Sequence, residues 1–512
     1  MKGSRYFTVI LIAVFTISLF GGLTIAKADV PPEVACEART NNTAEKLLEC
    51  VTLEGVREHQ AALQAIADAN GGVRTSGTSG YDASVQYVVD TMTAAGYDVT
   101  VQEFPFNFFI ETAPPVFRQV SPNPTTYVDQ VDFAVMTFSG SGDLTNTTVT
   151  PVDLSLADPA ASTSGCEASD YAGFPAGHIA LVQRGTCTFF LKASNAEAAG
   201  ASGVIVFNQG TPEREGLFFG TLGTPGVNIP VISISFTLGQ ELAGGATVDL
   251  FVSTISEVRL TSNVLAETSG GRADNIVMAG AHLDSVTAGP GIQDNGSGSS
   301  VLLEIAEQMK KVQPRNKVRF AWWGAEEFGL VGSLFYVNSL SEDELNNIAL
   351  YLNFDMVGSP NFVRFVYDGD SSDTTGENPQ PGSGIIEKLF LDYFESQGLP
   401  TRPTEIGNRS DHAGFRNAGI PIGGLFTGAE GIKTPEEVAV FGGTAGEQYD
   451  PCYHLACDTF ENVSLEALDQ NSDAAAFAIL TYGMNTESIN GIKGKGNFKP
   501  QDDDFLEPML IK

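Results

Sequence analysis

Histidine is scarce in this chain, with five in 512 residues. Any centre built on imidazole has few positions to draw on. Cations are scarce too: Lys and Arg number 28 against 62 Asp and Glu, for a formal net charge of −34. That balance argues against nucleic acid or an anionic membrane as the main partner, because both are held by clustered cations. Six cysteines are present but no C-x-x-C, which excludes a thiolate zinc ribbon. There is no G-x-S-x-G elbow. Ser410-Asp411-His412 has triad residue types, but contiguous residues cannot adopt triad geometry, so a serine hydrolase is excluded and His412 reads as structural or supporting. No internal repeat is visible. Beyond the first 28 residues no run is long and apolar enough to span a bilayer. With 42% hydrophobic and 18% charged residues the chain is globular, and it is long enough for more than one domain.

What is present starts at the N-terminus. Lys2 and Arg5 precede an apolar stretch from about Phe7 to Phe20. Ala26-Lys27-Ala28 then forms an A-x-A cleavage pattern before Asp29. Residues 1–28 are expected to be a secretory signal peptide, and the mature chain to be extracellular or periplasmic. An uncleaved anchor is the alternative, weakened by Thr8, Thr16, Ser18 and Gly21-Gly22. No Cys follows the cleavage point, so a lipoprotein is not expected. Export favours disulfides. Pairing of the local couples Cys36/Cys50, Cys166/Cys187 and Cys452/Cys457 is the simplest arrangement.

The texture changes along the chain. Leu47, Val51, Val56, Leu63 and Ile66 have helical spacing, broken by Gly71-Gly72-Val73-Arg74. Val85, Tyr87-Val88 and Met92 suggest a second helix ending near Gly96, and Val99-Thr100-Val101 is strand-like. From about 110 to 255 the sequence is rich in Thr, Val, Gly and Ser with short strand-like runs. Ile179-Ala180-Leu181-Val182, the turn at Arg184-Gly185-Thr186-Cys187, a helix with Lys192, Asn195 and Ala196, and Gly203-Val204-Ile205-Val206-Phe207 form a β-turn-α-β unit. From about 260, strands at 276–279, 318–323 and 349–354 alternate with a helix through Val301, Leu302, Ile305, Ala306, Met309 and Val312. This predicts an α/β fold with a mostly parallel central sheet flanked by helices. The tail from about Asn485 is polar and is a candidate for processing. The resulting division is 1–28 leader, 29–110 first part of the catalytic domain, 111–258 insert, 259–484 catalytic domain, and 485–512 tail.

The informative residues follow the strands of the last region. His282-Leu283-Asp284 follows the first, Glu326-Glu327 the second, and Asp355 the third. Ligands and reacting groups gather past the C-terminal strand ends of open α/β sheets. Imidazole and carboxylate are ordinary Zn²⁺ ligands. Asp294, on the glycine-rich Gly291-Ile292-Gln293-Asp294-Asn295-Gly296, suits a carboxylate shared by two metals, and His454 supplies a second imidazole. Two metals about 3.5–4 Å apart activate water and hold the substrate's reacting group. Asp284 is placed to accept the other imidazole N–H of His282.

These runs resemble the secreted bacterial leucine aminopeptidases with two co-catalytic zincs, especially the streptomycete type. The resemblance rests on Met278-Ala279-Gly280-Ala281-His282-Leu283-Asp284-Ser285-Val286, Arg319-Phe320-Ala321-Trp322-Trp323-Gly324-Ala325-Glu326-Glu327 and Tyr351-Leu352-Asn353-Phe354-Asp355-Met356-Val357. It extends to Arg409-Ser410-Asp411-His412, Gly423-Gly424-Leu425-Phe426 and Asp450-Pro451-Cys452-Tyr453-His454. The β-turn-α-β unit resembles the protease-associated domain inserted in many exported peptidases, which streptomycete-type members lack. The resemblance implies one zinc on His282, Asp294 and Asp355 and another on Asp294, Glu327 and His454. It implies Glu326 as general base, Tyr453 as oxyanion stabiliser, and Arg409 and Phe426 as substrate-binding residues. It further implies a Cys452–Cys457 brace and a cis Asp294–Asn295 peptide. Streptomycete-type relatives bind calcium partly through acids like Asp469 and Asp473, but their N-terminal acidic contributor has no counterpart near Val51, so calcium is not expected.

The expected function is therefore a zinc aminopeptidase that removes Leu-like N-terminal residues from peptides. A monomer is expected, with no nucleic-acid or membrane partner after cleavage, and the insert is expected to wall the site entrance. A metallo-carboxypeptidase or dipeptidase of the same fold, and a non-catalytic receptor-like homologue, are the alternatives.

Overall fold

Fourteen strands form one hydrogen-bonded sheet in the computed structural model, which describes residues 36–375 and 380–492. The first eight are β1 Asp98–Ser121, β2 Thr125–Thr126, β3 Phe133–Val135, β4 Gly142–Pro151, β5 Ile179–Gln183, β6 Gly203–Phe207, β7 Val231–Ile234 and β8 Ala246–Glu267. The rest are β9 Arg272–His282, β10 Asn316–Trp323, β11 Ile348–Phe354, β12 Phe365–Tyr367, β13 Arg402–Thr404 and β14 Ile422–Phe426. The order is β13-β12-β14-β11-β9-β10-β8-β4-β5-β6-β7-β3, with β1 paired to β8 and β2.

The catalytic half is built on β9, β10, β11 and β14, which run parallel. β11 is buried at every residue, as expected of a central parallel strand covered on both faces. Helices Leu53–Ala69, Ser79–Ala95, Gly296–Met309 and Leu465–Met484 pack on it through one apolar core that includes Leu63, Val88, Leu302 and Phe477. The helix predicted through residues 45–66 is two, Ala44–Leu48 and Leu53–Ala69, because Thr43 and Thr52 each cap a start. The helix expected to end near Gly96 does so, with Gly96 left-handed at φ 87°.

The insert has its own parallel set, β4-β5-β6-β7, and its own cores. It joins the catalytic half through β1 and β8, an antiparallel pair registered from Asp98↔Glu267 to Ser121↔Thr247. The short strand-like signal at 99–101 is the start of this 24-residue strand. The pair runs unbroken through the divisions expected at 110/111 and 258/259.

Disulfides join Cys36–Cys50, Cys166–Cys187 and Cys452–Cys457, the three local couples. The expected leader and most of the tail lie outside the described residues. Among the described residues no helix is long and apolar enough to cross a membrane.

Candidate active site

Three strands of the catalytic half end on a common shelf. His282 closes β9, and its ring is 1% exposed. β10 ends at Trp323, and the chain turns through Gly324 and Ala325. A Cβ on Gly324 would lie 2.4 Å from the Tyr81 hydroxyl, so glycine is required there, and Ala325 is left-handed at φ 53°. Ala325 N–H donates to Ser76 Oγ at 2.7 Å, and Glu326 N–H donates to Asp284 Oδ1 at 3.2 Å. Asp355 follows β11. Its neighbour Met356 and the more distant His454 are also left-handed, at φ 59° each. Three such non-glycine residues in one site fit the concentration of backbone strain at functional centres.

Asp294 is held from its backbone. Asp458 accepts from the N–H groups of Gln293 at 2.8 Å and Asp294 at 3.0 Å. The Asp294–Asn295 peptide is cis. The Asn295 side chain accepts from Gly298 N–H at 2.9 Å and Met356 N–H at 3.1 Å, and donates to Phe354 O at 2.9 Å. One amide thus caps helix Gly296–Met309 and ties its start to the end of β11. The Cys452–Cys457 bridge closes the loop carrying Tyr453 and His454.

The side chains converge as two sets sharing Asp294. His282 Nε2 lies 3.1 Å from Asp294 Oδ1 and 3.3 Å from Asp355 Oδ1. His454 Nε2 lies 3.3 Å from Asp294 Oδ2 and 3.1 Å from Glu327 Oε2. Glu326 Oε2 is 4.0 Å from His282 Nε2. The second nitrogen of His282 meets the Asp284 backbone oxygen at 3.1 Å, while the Asp284 carboxylate expected there is at 3.7 Å and serves Glu326 N–H. Ser410 Oγ donates to Asp355 Oδ2 at 2.5 Å.

The electrostatics are those of an overcrowded anionic pocket. Burial pushes Glu327 up to about 7, and Asp294 adds to the shift. Burial also raises Glu326 well above the usual carboxylate range; His282 opposes that, and Asp355, Asp411 and Glu327 reinforce it. Burial opposes charge on His454, yet Asp294 and Glu327 bring it up to about 10. His282 is likewise raised, with Glu326 and Asp355 overcoming burial. Glu327 Oε1 and Asp355 Oδ1 are buried without a hydrogen-bond partner. Buried acid oxygens left unpaired are costly. A divalent cation would discharge them, and donor sets of one imidazole with two carboxylates fit zinc.

The site opens into a cavity of about 380 Å³ lined by His282, Asp294, Glu326, Glu327, Asp355, His454 and Tyr453, with Met356, Tyr367, Phe426 and Ala429 among its apolar walls. Every lining residue falls within 282–454, so the insert expected to wall the entrance contributes none to this cavity. Phe426 stacks on Phe365 at 6.0 Å. Tyr453 stacks on His454 at 3.9 Å, and Arg409 Nη2 donates to its hydroxyl at 3.4 Å. Burial, with Asp294 and Glu327, raises the Tyr453 phenol and keeps it protonated. Arg409 makes a two-pronged ion pair with Glu430, at 2.8 and 3.2 Å, and not with its sequence neighbour Asp411, which is buried. His412 is buried, its Nε2 at 2.9 Å from Gly407 O, and burial lowers it to about 4.

The sequence did not point to several supporting residues. Arg74 is fully buried and donates to Leu283 O, Pro290 O and Gly291 O, gripping the segment between His282 and Asp294. Its only signal was its place after a glycine pair. Asp458 could have been noticed as the acid next to Cys457. Glu430, far from Arg409 in sequence, carried no signal.

Residues 263–479 match the model of peptidase family M28, and residues 149–242 that of the PA domain. An aminopeptidase of Pseudomonas aeruginosa is 50% identical over 447 residues, 86% of this chain and 83% of the relative. Leucine aminopeptidase 2 of Trichophyton rubrum is 46% identical over 67% of this chain and 70% of its own. Among solved structures, an aminopeptidase from Aneurinibacillus matches with a TM-score of 0.61 and 25% identity over 88% of this chain and 99% of that one. A zinc aminopeptidase from Bacillus subtilis matches at 0.56 and 26% over 85% and 96%. With that similarity spread over most of its length, the chain belongs to peptidase family M28 and is a metal-dependent aminopeptidase with an inserted PA domain.

Proposed function

We propose that the chain is an exported di-zinc aminopeptidase that removes Leu-like residues from the N-termini of peptides. Asp294 carries this reading. Its Oδ1 faces His282 with Asp355, and its Oδ2 faces His454 with Glu327. One carboxylate between two His-plus-acid sets has the form of a bridging ligand. When bound, the ions supply the Lewis acid that activates water and polarises the scissile carbonyl.

The chain's own residues do the rest. Glu326 takes the proton of the attacking water and passes it to the leaving amine. Its burial beside Asp355 supports this role, because a carboxylate disfavoured as an anion is a stronger base. The Tyr453 hydroxyl, kept protonated, donates a hydrogen bond to the oxyanion of the tetrahedral intermediate. Arg409, fixed by Glu430, steadies Tyr453 and meets a peptide or product carboxylate. The acid-rich floor attracts a protonated α-amine. Met356, Tyr367, Phe426 and Ala429 offer an apolar wall to a branched side chain. Residues 1–28 act as a removed leader, 111–258 as the insert, and the mature enzyme works as a monomer.

The test is hydrolysis of leucine-p-nitroanilide by the mature protein as isolated, after chelation, and after Zn²⁺ is restored. Loss and recovery of activity, with at least two zincs per chain and no cleavage of N-blocked substrate, is expected. Cleavage of N-blocked peptides from the C-terminus, or full activity without metal, overturns the reading.

A further inference from the structure

A second group of metal-ligating side chains lies where three helices meet, away from the catalytic cavity. His59 is on helix Leu53–Ala69, Tyr87 on Ser79–Ala95, and Glu304 and Glu307 sit one turn apart on Gly296–Met309. His59 Nε2 stands 3.2 Å from Glu307 Oε2 and 4.0 Å from Glu304 Oε2. Ligand atoms around a tetrahedral zinc, with bonds of about 2.0–2.2 Å, lie about 3.3 Å apart. The corresponding separations in the catalytic sets are 3.1–3.3 Å.

The imidazole is already oriented. Its Nδ1 is 2.7 Å from the Tyr87 hydroxyl, so Nε2 is turned toward the carboxylates. Fixing one ring nitrogen so that the other faces a metal is the usual support of a His ligand. His59 is 6% exposed and Glu304 4% exposed. Glu304 Oε1 accepts from Thr52 N–H at 3.3 Å and Gln308 Nε2 at 3.2 Å. Among the described residues no hydrogen bond reaches Oε2, the oxygen facing His59. Burial pushes Glu304 up to about 7. The Glu307 side chain is 35% exposed and leaves a way in for a hydrated ion. Gly55 makes room: a Cβ there would stand 2.5 Å from the carboxyl carbon and both oxygens of Glu304.

We propose that His59, Glu304 and Glu307 bind a further divalent transition-metal ion of the zinc type, with water completing its shell. The ion clamps helix Leu53–Ala69 to helix Gly296–Met309. The second helix starts directly after Asp294-Asn295, and Gln60 on the first donates to Ile292 O at 3.3 Å. The clamp therefore braces the segment that carries Asp294, while touching neither substrate nor reacting atoms.

The test is equilibrium dialysis of chelated full-length protein against Zn²⁺, counting bound metal in wild type, Glu307→Gln and Asp294→Asn. Glu307→Gln, at a half-exposed position, is expected to bind one ion per chain fewer, with leucine-p-nitroanilide turnover at saturating Zn²⁺ within about twofold of wild type. Asp294→Asn protein loaded with Co²⁺ is expected to keep a visible absorption band that vanishes when Glu307→Gln is added. This arm does not depend on the catalytic ions. Equal metal counts in wild type and Glu307→Gln, with no Co²⁺ band in Asp294→Asn, overturn the site and leave only a contact between His59 and two carboxyl groups. Matching melting curves of the metal-free proteins show that the count is not a folding artefact.

Discussion

The two halves of this molecule use the same scaffold and put different residues on it. Each has parallel strands ending on one side, covered by helices. In the catalytic half the strands β9, β10 and β11 lead into His282, Glu326-Glu327 and Asp355. In the insert β5 ends at Gln183 and β6 leads to Asn208, whose amides are spent internally: Gln183 Nε2 donates to Gln209 O and Asn208 Nδ2 to Gly216 O, both at 2.8 Å. Buried carboxylate oxygens without partners collect in the first half, on Asp284, Glu327, Asp355, Asp411 and Asp450. In the insert, among the described residues, the one buried side-chain oxygen without a partner is the Ser162 hydroxyl. Topology supplies the shelf, and the residues on it decide whether chemistry happens.

The comparison can be broken most sharply at Asp294. Asp294→Asn weakens both proposed ligand sets at once, so activity is expected to fall to background while zinc falls by about two ions per chain, read by leucine-p-nitroanilide turnover and metal analysis. Glu326→Gln is expected to lower kcat by about 10²–10⁴-fold with zinc retained, since it removes the proposed base and none of the proposed ligands. Tyr453→Phe is expected to cost about 10²–10³-fold in kcat with little change in KM.

Smaller effects concern stability. His412 takes up a proton near 6.5 when unfolded and near 4 when folded, because burial disfavours its charge. The unfolded state therefore holds more protons between those values. Stability is complete above about 6.5 and falls as the pH drops toward 4, by at most about 3 kcal/mol. Denaturant melts in chelator, so that zinc loss does not contribute, should show this slope, and His412→Gln should flatten it. In the insert, Lys192 is buried and its ammonium donates to Ser164 O. Lys192→Met is expected to cost about 1–3 kcal/mol in a melt while kcat stays within about twofold. A large kcat loss there would erase the division of labour between the halves.

Much of the catalytic half was legible because its signals are local. Buried parallel strands read as apolar runs, and groups at their ends sit a fixed number of residues later. The β-turn-α-β unit of the insert was legible for the same reason. The long β1–β8 pair was not, because its residues alternate weakly and its partners lie more than a hundred positions apart. Arg409 shows the same limit: its partner is Glu430, not the nearby Asp411, and only the folded loops bring that acid to it.

The sequence by itself determined the residue types of the site, the strand-end positions of most of them, the acidic balance, and the α/β class. These follow from periodicity and composition, which are properties of neighbours. Tertiary structure alone decided that Asp294 turns one oxygen to His282 and the other to His454, that Arg74 and Asp458 hold the intervening loop, and that His59 meets Glu304 and Glu307. Those contacts join segments far apart in the chain, and only packing of the helices on the sheet fixes their distances.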